Sequence, residues 1–427
     1  MLRGALPVPC LPPVRILRLP VNSLLLLSNQ LVFNLGFYMV VPFLAAYLRD
    51  DLALAGASIG LVLGLRTFCQ QGLFVFGGAL SDRLGTRRLI LLGCVVRVMG
   101  FLCLGMGGSL PMVVAGACLT GVGGALFSPA ISTLVAQLGA ASEAAGKRTR
   151  AQYFALLAVW GESGAVLGPL LGALLIGIGF QAIALIGATV FVVAGFVLGR
   201  FLPVDAPARP ATRRGLDWGT IFTDRLFMAF IVAHAGFLFS YNQLYLALPV
   251  EISRSGGSDR DLAPLFMVAS LLVIGLQLPI ARLARWAGYQ RSLPLGFLLM
   301  AAGFVIVAIA APHAAPAGLM RLAPAVGLVV LLSLGHMAVR PVAMDLVPDF
   351  AQGRALGVYY GALASSGGVA VLLGNVALGG LLDSALLPHP GAALPWYVLA
   401  AVPATSAMAM VVILRRLTQR RTVQATA

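Results

Sequence analysis

Charge is what this sequence has least of. Only 10% of its 427 residues are charged, 60% are hydrophobic, and the mean hydropathy is +0.97. A soluble chain of this length needs far more charge to cover its surface, so a soluble globular fold is excluded. Lysine is nearly missing, with Lys147 alone beside the arginines. There are four histidines, and neither HExxH nor GxxxxGK[ST] occurs. With no nucleophile–base arrangement either, an enzyme is not expected. The five cysteines, Cys10, Cys69, Cys94, Cys103 and Cys118, show no metal or disulfide spacing. Four lie inside apolar runs and read as small packing residues. No metal and no organic cofactor is expected. The first twenty residues are rich in Pro and Arg and lack a sustained apolar core, as a cytoplasmic tail does and a cleavable signal does not.

Long apolar runs are what is present. Twelve stretches reach the ~20 residues that span a bilayer: 22–48, 56–80, 88–107, 111–137, 151–176, 180–202, 223–249, 262–284, 292–312, 321–345, 355–382 and 393–414. The expected fold is therefore an all-α, multi-pass membrane protein. The net charge of +15 forms no single basic face, so no nucleic-acid partner is expected. With the N-terminus inside, 22 of the 29 Lys and Arg fall in cytoplasmic segments and four (Arg49, Arg254, Arg260, Arg321) in the opposite loops. The remaining three, Arg66, Arg97 and Arg340, lie within or at the edge of spans. The positive-inside rule then predicts both termini on the cytoplasmic side of a plasma membrane.

The connection PVDAPARPATRRGLDWGT (203–220) divides the spans six and six. The predicted organisation is a tail (1–21), a six-helix bundle (22–202), a cytoplasmic linker (203–222), a second bundle (223–414) and a tail (415–427). The bundles resemble one another. QLVFNLGFYMVVP, ending at Pro42, returns as FLFSYNQLYLALP, ending at Pro249, 207 residues later. GKRTRAQYFALL (146–157) is echoed by QGRALGVYYGAL (352–363) at an offset of 206, at which Gly168 falls on Gly374. Two pseudo-symmetric halves repeated in parallel are the plan of many solute transporters.

Between the second and third spans lies GGALSDRLGTRRLI (77–90). An inside loop collects arginines such as Arg87 and Arg88 for topology alone. That does not account for Asp82 beside Arg83, bracketed by Gly78 and Gly85. Gly78 allows close helix approach and Gly85 a tight turn. These residues resemble the signature loop of the major facilitator superfamily. The resemblance covers almost the whole chain and implies two six-helix bundles rocking around a central site, with the loop as a cytoplasmic latch. A second motif, GESGAVLGPLLGALL (161–175), sets Gly164, Gly168, Pro169 and Gly172 on the fifth span. It resembles the helix motif of drug:proton antiporters within that superfamily, which implies packing and bending at the bundle interface. One departure stands out. The arginine that such proteins often carry in the fourth span is Ala117 here, which leaves Arg97 as a substitute.

Polar groups inside spans are costly and therefore mark candidate sites. Glu162, deep in the fifth span, is the first candidate proton carrier, with pairing to Arg66 or Arg97 as the alternative reading. His336 is the second, since imidazole titrates near neutral pH. Gln30, Asn34 and Tyr38 form a stripe on the first span, and His234, Phe237, Tyr241 and Tyr245 mirror it on the seventh. The resemblance implies that both stripes face a central cavity. Arg66 and Gln70 share one face of the second span and, with Arg97, complete the cavity candidates. Arg340 and Asp345 are a candidate gate pair. The expected function is a monomeric secondary exporter of amphipathic, drug-like small molecules, driven by a proton gradient in a bacterial cytoplasmic membrane. The alternatives are a proton-coupled importer on the same fold and, more remotely, a membrane enzyme or structural protein.

Overall fold

The computed structural model describes residues 21–74, 76–77, 80, 84–145, 150–202, 223–351 and 356–426. Among them no residue is in a strand. Twelve helices follow one another: α1 (Val21–Asp50), α2 (Gly56–Thr67), α3 (Thr86–Met106), α4 (Leu110–Ala144), α5 (Arg150–Leu175) and α6 (Phe180–Phe201), then α7 (Arg225–Arg254), α8 (Leu262–Ala287), α9 (Tyr289–Ala310), α10 (Ala323–Ala351), α11 (Leu356–Asp383) and α12 (Leu394–Thr426). Each apolar run of the sequence holds one of them. Among the described residues eleven helices are long and apolar enough to cross a membrane.

The exception is α2. The sequence reads as one span over 56–80; the α-helix Gly56–Thr67 passes into a π-turn at Phe68–Gly72, and helix resumes at the described residues Phe74, Phe76, Gly77 and Leu80. The Phe68 ring lies where a Cβ on Gly72 would stand, so the absence of a side chain there makes room for the widened turn. Such turns re-aim side chains and recur at functional sites. α12 also departs from expectation: it continues to Thr426, so the basic run from Arg415 is helical rather than a separate tail.

The packing is symmetric. In the first half α1 packs on α5 and α6, α3 on α4 and α6, and α2 on α4. Six helices later α7 packs on α11 and α12, α9 on α10 and α12, and α8 on α10. Between the halves α2 packs on α11 and, in the matching place, α8 on α5. Each half has an aromatic centre. Phe33 stacks on Phe127 at 3.4 Å and meets Phe191 edge-on at 4.6 Å, while Phe227, Phe230, Phe350 and Tyr359 cluster in the second half. The outer faces carry exposed apolar side chains such as Phe196, Val232 and Leu278, as lipid-facing helices do.

The halves meet through glycine. Gly56, Gly60 and Gly64 recur every fourth residue and form one stripe on α2. A Cβ on Gly56 would fall on the Gly379 carbonyl, one on Gly60 on the Asn375 carbonyl, and one on Gly64 would come within 3.0 Å of the Leu372 Cα. Small residues let helix backbones come this close. At the same end the Asp383 carboxylate accepts from the Gly56 N–H at 2.8 Å, which places a negative charge at the N-terminus of α2. Arg49 donates to the Ser253 hydroxyl at 3.4 Å nearby.

Candidate functional site

Five of the predicted cavity residues, Gln30, Asn34, Tyr38, Gln70 and Arg97, line one cavity of about 80 Å³ together with Phe33, Phe37, Phe127 and Ser128. α1 supplies most of this wall because Gln30, Asn34 and Tyr38 alternate with Phe33 and Phe37 on neighbouring turns. A second cavity, of about 440 Å³, is a groove at the helix ends around the Arg420–Asp224 ion pair and lies apart from the stripes.

Two arginines define the chemistry. Arg66 is 4% exposed; it donates to Gln70 Oε1 at 3.1 Å and to Thr67 Oγ1 at 2.9 Å. Its guanidinium carbon stands 5.3 Å from the Phe37 ring centre and 5.9 Å from that of Tyr245. Arg97 is 5% exposed and is enclosed by three rings, Phe33, Phe37 and Phe191, at 5.1 to 5.2 Å. It makes no hydrogen bond to a described residue, and its Nε is buried without a partner. Facing rings compensate a cation by roughly 0.5–2 kcal/mol each. A charge at membrane depth costs about 2.5–3.5 kcal/mol or more. The rings therefore offset the charge but leave the N–H donors unspent.

Neither arginine is paired with Glu162. Among the described residues the ion pairs are Arg254–Glu251, Arg321–Asp261 and Arg420–Asp224. Glu162 instead turns across the gap between the halves, where it faces Ser270 of α8 and feels the charge of Arg340. Nor is Glu162 alone as a carboxylate in a span. Glu251 on α7 is fully buried, held by Arg254 through two bonds of 2.7 Å, and Arg254 also donates to the His313 carbonyl. That pair ties the end of α7 to the segment after α9 and has no opening to the cavity.

Opposite the first-half wall, Tyr245 faces Tyr38, and the Tyr241 and His336 rings lie tilted with centres 4.1 Å apart. His336 also lies against Phe237, and its Nδ1 has no partner. His234 departs from the expected stripe. It is 5% exposed in a stack between Phe230 and Phe237, away from the cavity wall. Arg340 and Asp345 form no ion pair in this conformation. Five residues on one helix set them some 140° apart, and Asp345 acts on Tyr360 instead.

Gly164, Gly168 and Gly172 form the stripe the motif predicts, but it faces α1 rather than the boundary between the halves. A Cβ on Gly168 would come within 2.8 Å of Tyr38 Cβ, and one on Gly164 within 2.9 Å of Asn34 Cβ. The motif, with buried Pro169 inside it, seats α5 against the cavity-lining helix of its own half. Asn34 reinforces that seat by donating to the Gly161 carbonyl at 2.9 Å. Of the signature loop, Gly85 opens α3 at φ +88°, as a tight turn requires, and Arg87 donates to the Gly199 carbonyl at the end of α6. Arg88 lies on the first turn of α3, while Gly78, Asp82 and Arg83 lie outside the described residues.

Sequence reasoning missed a buried polar chain. Thr67 Oγ1 accepts from Arg66 and, at 3.2 Å, from Asn242 of α7. Asn375 of α11 donates to Asn242 Oδ1 at 3.3 Å and accepts from Gln243 at 3.0 Å. The chain joins Arg66, which stands against the cavity ring Phe37, to the contact between the halves. Its signal was the Asn-Gln pair inside LFSYNQLYL, next to the aromatic positions that were noticed.

The sequence model of the Major Facilitator Superfamily matches residues 26–375. The multidrug resistance protein MdtH of Escherichia coli O9:H4 is 30% identical over 377 residues, covering 88% of this chain and 89% of that protein. An uncharacterized MFS-type transporter from Mycobacterium tuberculosis H37Rv is 36% identical over 370 residues, covering 85% of this chain and 86% of that protein. Among solved structures, the nucleoside transporter NupG (D323A mutant) superposes with a TM-score of 0.78 at 12% identity, over 92% of this chain and 99% of that one. A POT family transporter in complex with a thioalcohol-conjugated peptide gives 0.77 at 14% identity, over 93% and 96%. At these identities both structures speak to the fold.

Proposed function

The chain belongs to the major facilitator superfamily, and on that premise we propose that it exports small amphipathic molecules across a bacterial cytoplasmic membrane, in exchange for protons, by alternating access. The observation that carries this reading is the cavity lined by polar and aromatic residues of the first half. Aromatic rings from α1 and α4 surround a few hydrogen-bonding groups, the lining that suits loosely specified apolar ligands. The multidrug-resistance relatives support it at about 30% identity. At about 80 Å³ the cavity is far below the ~300–1,000 Å³ of a drug-sized site. The conformation described is thus one in which the halves are closed on each other along α2 and α11, and a substrate enters once they part.

Glu162 has the placement for coupling. It reaches from the first half toward Ser270 and Arg340 of the second, so a rocking motion changes what its carboxylate faces. Proteoliposomes loaded with norfloxacin under an imposed pH gradient test the reading. The parent is expected to move solute against its gradient and release protons, and Glu162→Gln to lose proton-driven flux by at least tenfold. Equal proton exchange by both proteins refutes the role of Glu162. Solute entry down the proton gradient refutes export.

A further inference from the structure

We infer that the cavity lined by Arg97, with Arg66 against its Phe37 wall, receives the anionic head of its substrate, a carboxylate or a group of similar size, so that the preferred solutes are amphipathic anions or zwitterions. The inference rests on the transporter reading above and narrows its substrate class.

Two permanent cations stand against the same Phe37 ring, each at least nine-tenths buried. Arg97 lines the cavity and spends none of its five donors on a described residue. Among the described residues no carboxylate forms an ion pair with either arginine, and Glu162 is engaged toward the other half. A site for an organic cation needs the opposite arrangement, a buried acid among the rings. The size agrees. A volume of about 80 Å³ admits a carboxylate with a water or two, since a water takes roughly 30 Å³. The apolar body then lies along Phe33, Phe37 and Phe127, and Gln70, already accepting from Arg66, keeps an amide N–H for the same head group.

The test compares two probes of one shape, anthracene-9-carboxylate and (9-anthracenylmethyl)trimethylammonium. Binding to the purified full-length protein is read by fluorescence polarisation, and both fluxes are read in proteoliposomes. The carboxylate is expected to bind at least about tenfold more tightly. Arg97→Gln should abolish that preference and Arg97→Lys keep part of it, in variants that elute as the parent does on size exclusion. Equal or tighter binding of the ammonium, or a preference unchanged in Arg97→Gln, overturns the inference. Replacing chloride by gluconate at constant ionic strength should leave carboxylate binding intact. Binding of chloride that the carboxylate does not displace would assign the arginines to an inorganic ion and also overturn it. Flux of the ammonium alone sinks this inference but leaves the transporter reading standing. Carboxylate binding without flux of any solute does the reverse.

Discussion

Gly60→Leu should force apart the end of the molecule at which the halves are joined. A Cβ on Gly60 would fall on the Asn375 carbonyl oxygen and 2.7 Å from its carbon, where ordinary contacts are 3.4–4 Å. Both obstructing atoms are main chain, so no rotamer change relieves the clash and α11 itself must withdraw by about an ångström. One turn away the Gly56 N–H bond to Asp383 lies on the same seam and is lost with it. Overpacking of this kind costs roughly 1–3 kcal/mol, which moves a two-state equilibrium by about 5- to 150-fold. Spin labels at the exposed Asp51 and Leu387, in a background with the five native cysteines replaced, report the separation by pulsed dipolar spectroscopy. The long-distance population should grow at the expense of the short one. Gly108→Leu, where a Cβ meets nothing within 4 Å, should change nothing. An unaltered distribution in folded Gly60→Leu refutes the claim that this seam closes the halves.

Two further outcomes follow from buried polar groups. Glu251→Gln leaves Arg254 uncompensated where the pair is 0% and 1% exposed, and breaking such a pair costs about 3–5 kcal/mol. The variant should melt well below the parent in detergent, while Glu251→Leu combined with Arg254→Met recovers most of the loss; a double variant no better than the single would show that the pair is not what matters. Thr67→Val removes the acceptor shared by Arg66 and Asn242, and unsatisfied buried donors cost about 1–3 kcal/mol each. The same labels should show a broader distance distribution in that variant, and an unchanged one would detach the polar chain from the closure of the halves.

Most of the fold was legible because lipid imposes one rule on every span. Runs of ~20 apolar residues must be helical, so the twelve helices fall where the runs do. The repeat was legible for a related reason: Pro42 and Pro249, or Gly168 and Gly374, answer the same packing problem in each half. What escaped depends on direction about a helix axis. Spacing put Gly164, Gly168 and Gly172 on one stripe but could not say that α1 would fill it. The same spacing at Gly56, Gly60 and Gly64 passed unremarked although it makes the seam. His234 continues the stripe on paper, yet α7 carries it into an aromatic stack. Pairing is harder still: the expected partners of Glu162 are Arg66 and Arg97, yet neither forms an ion pair with it, and the charge it feels is that of Arg340 in the other half.

The make-up of the seam bears on how two halves can part at all. A leucine-rich contact has no special advantage between helices in lipid, whose tails are as apolar as leucine. A contact of glycines and amides behaves differently. The Gly60 and Gly379 backbones gain close packing only while the halves are joined. Of the amide hydrogen bonds only the one from Asn242 to Thr67 crosses between the halves, and it exchanges for water once a cleft opens, at a net cost of only about 0.5–1.5 kcal/mol. On the proposed alternating-access reading, joined and parted states then differ by a few kcal/mol, within reach of one bound solute. Arg66 belongs to both systems, touching the cavity ring Phe37 and the seam hydroxyl of Thr67. A solute that draws its guanidinium away takes a donor from Thr67 and loosens the seam at the same stroke.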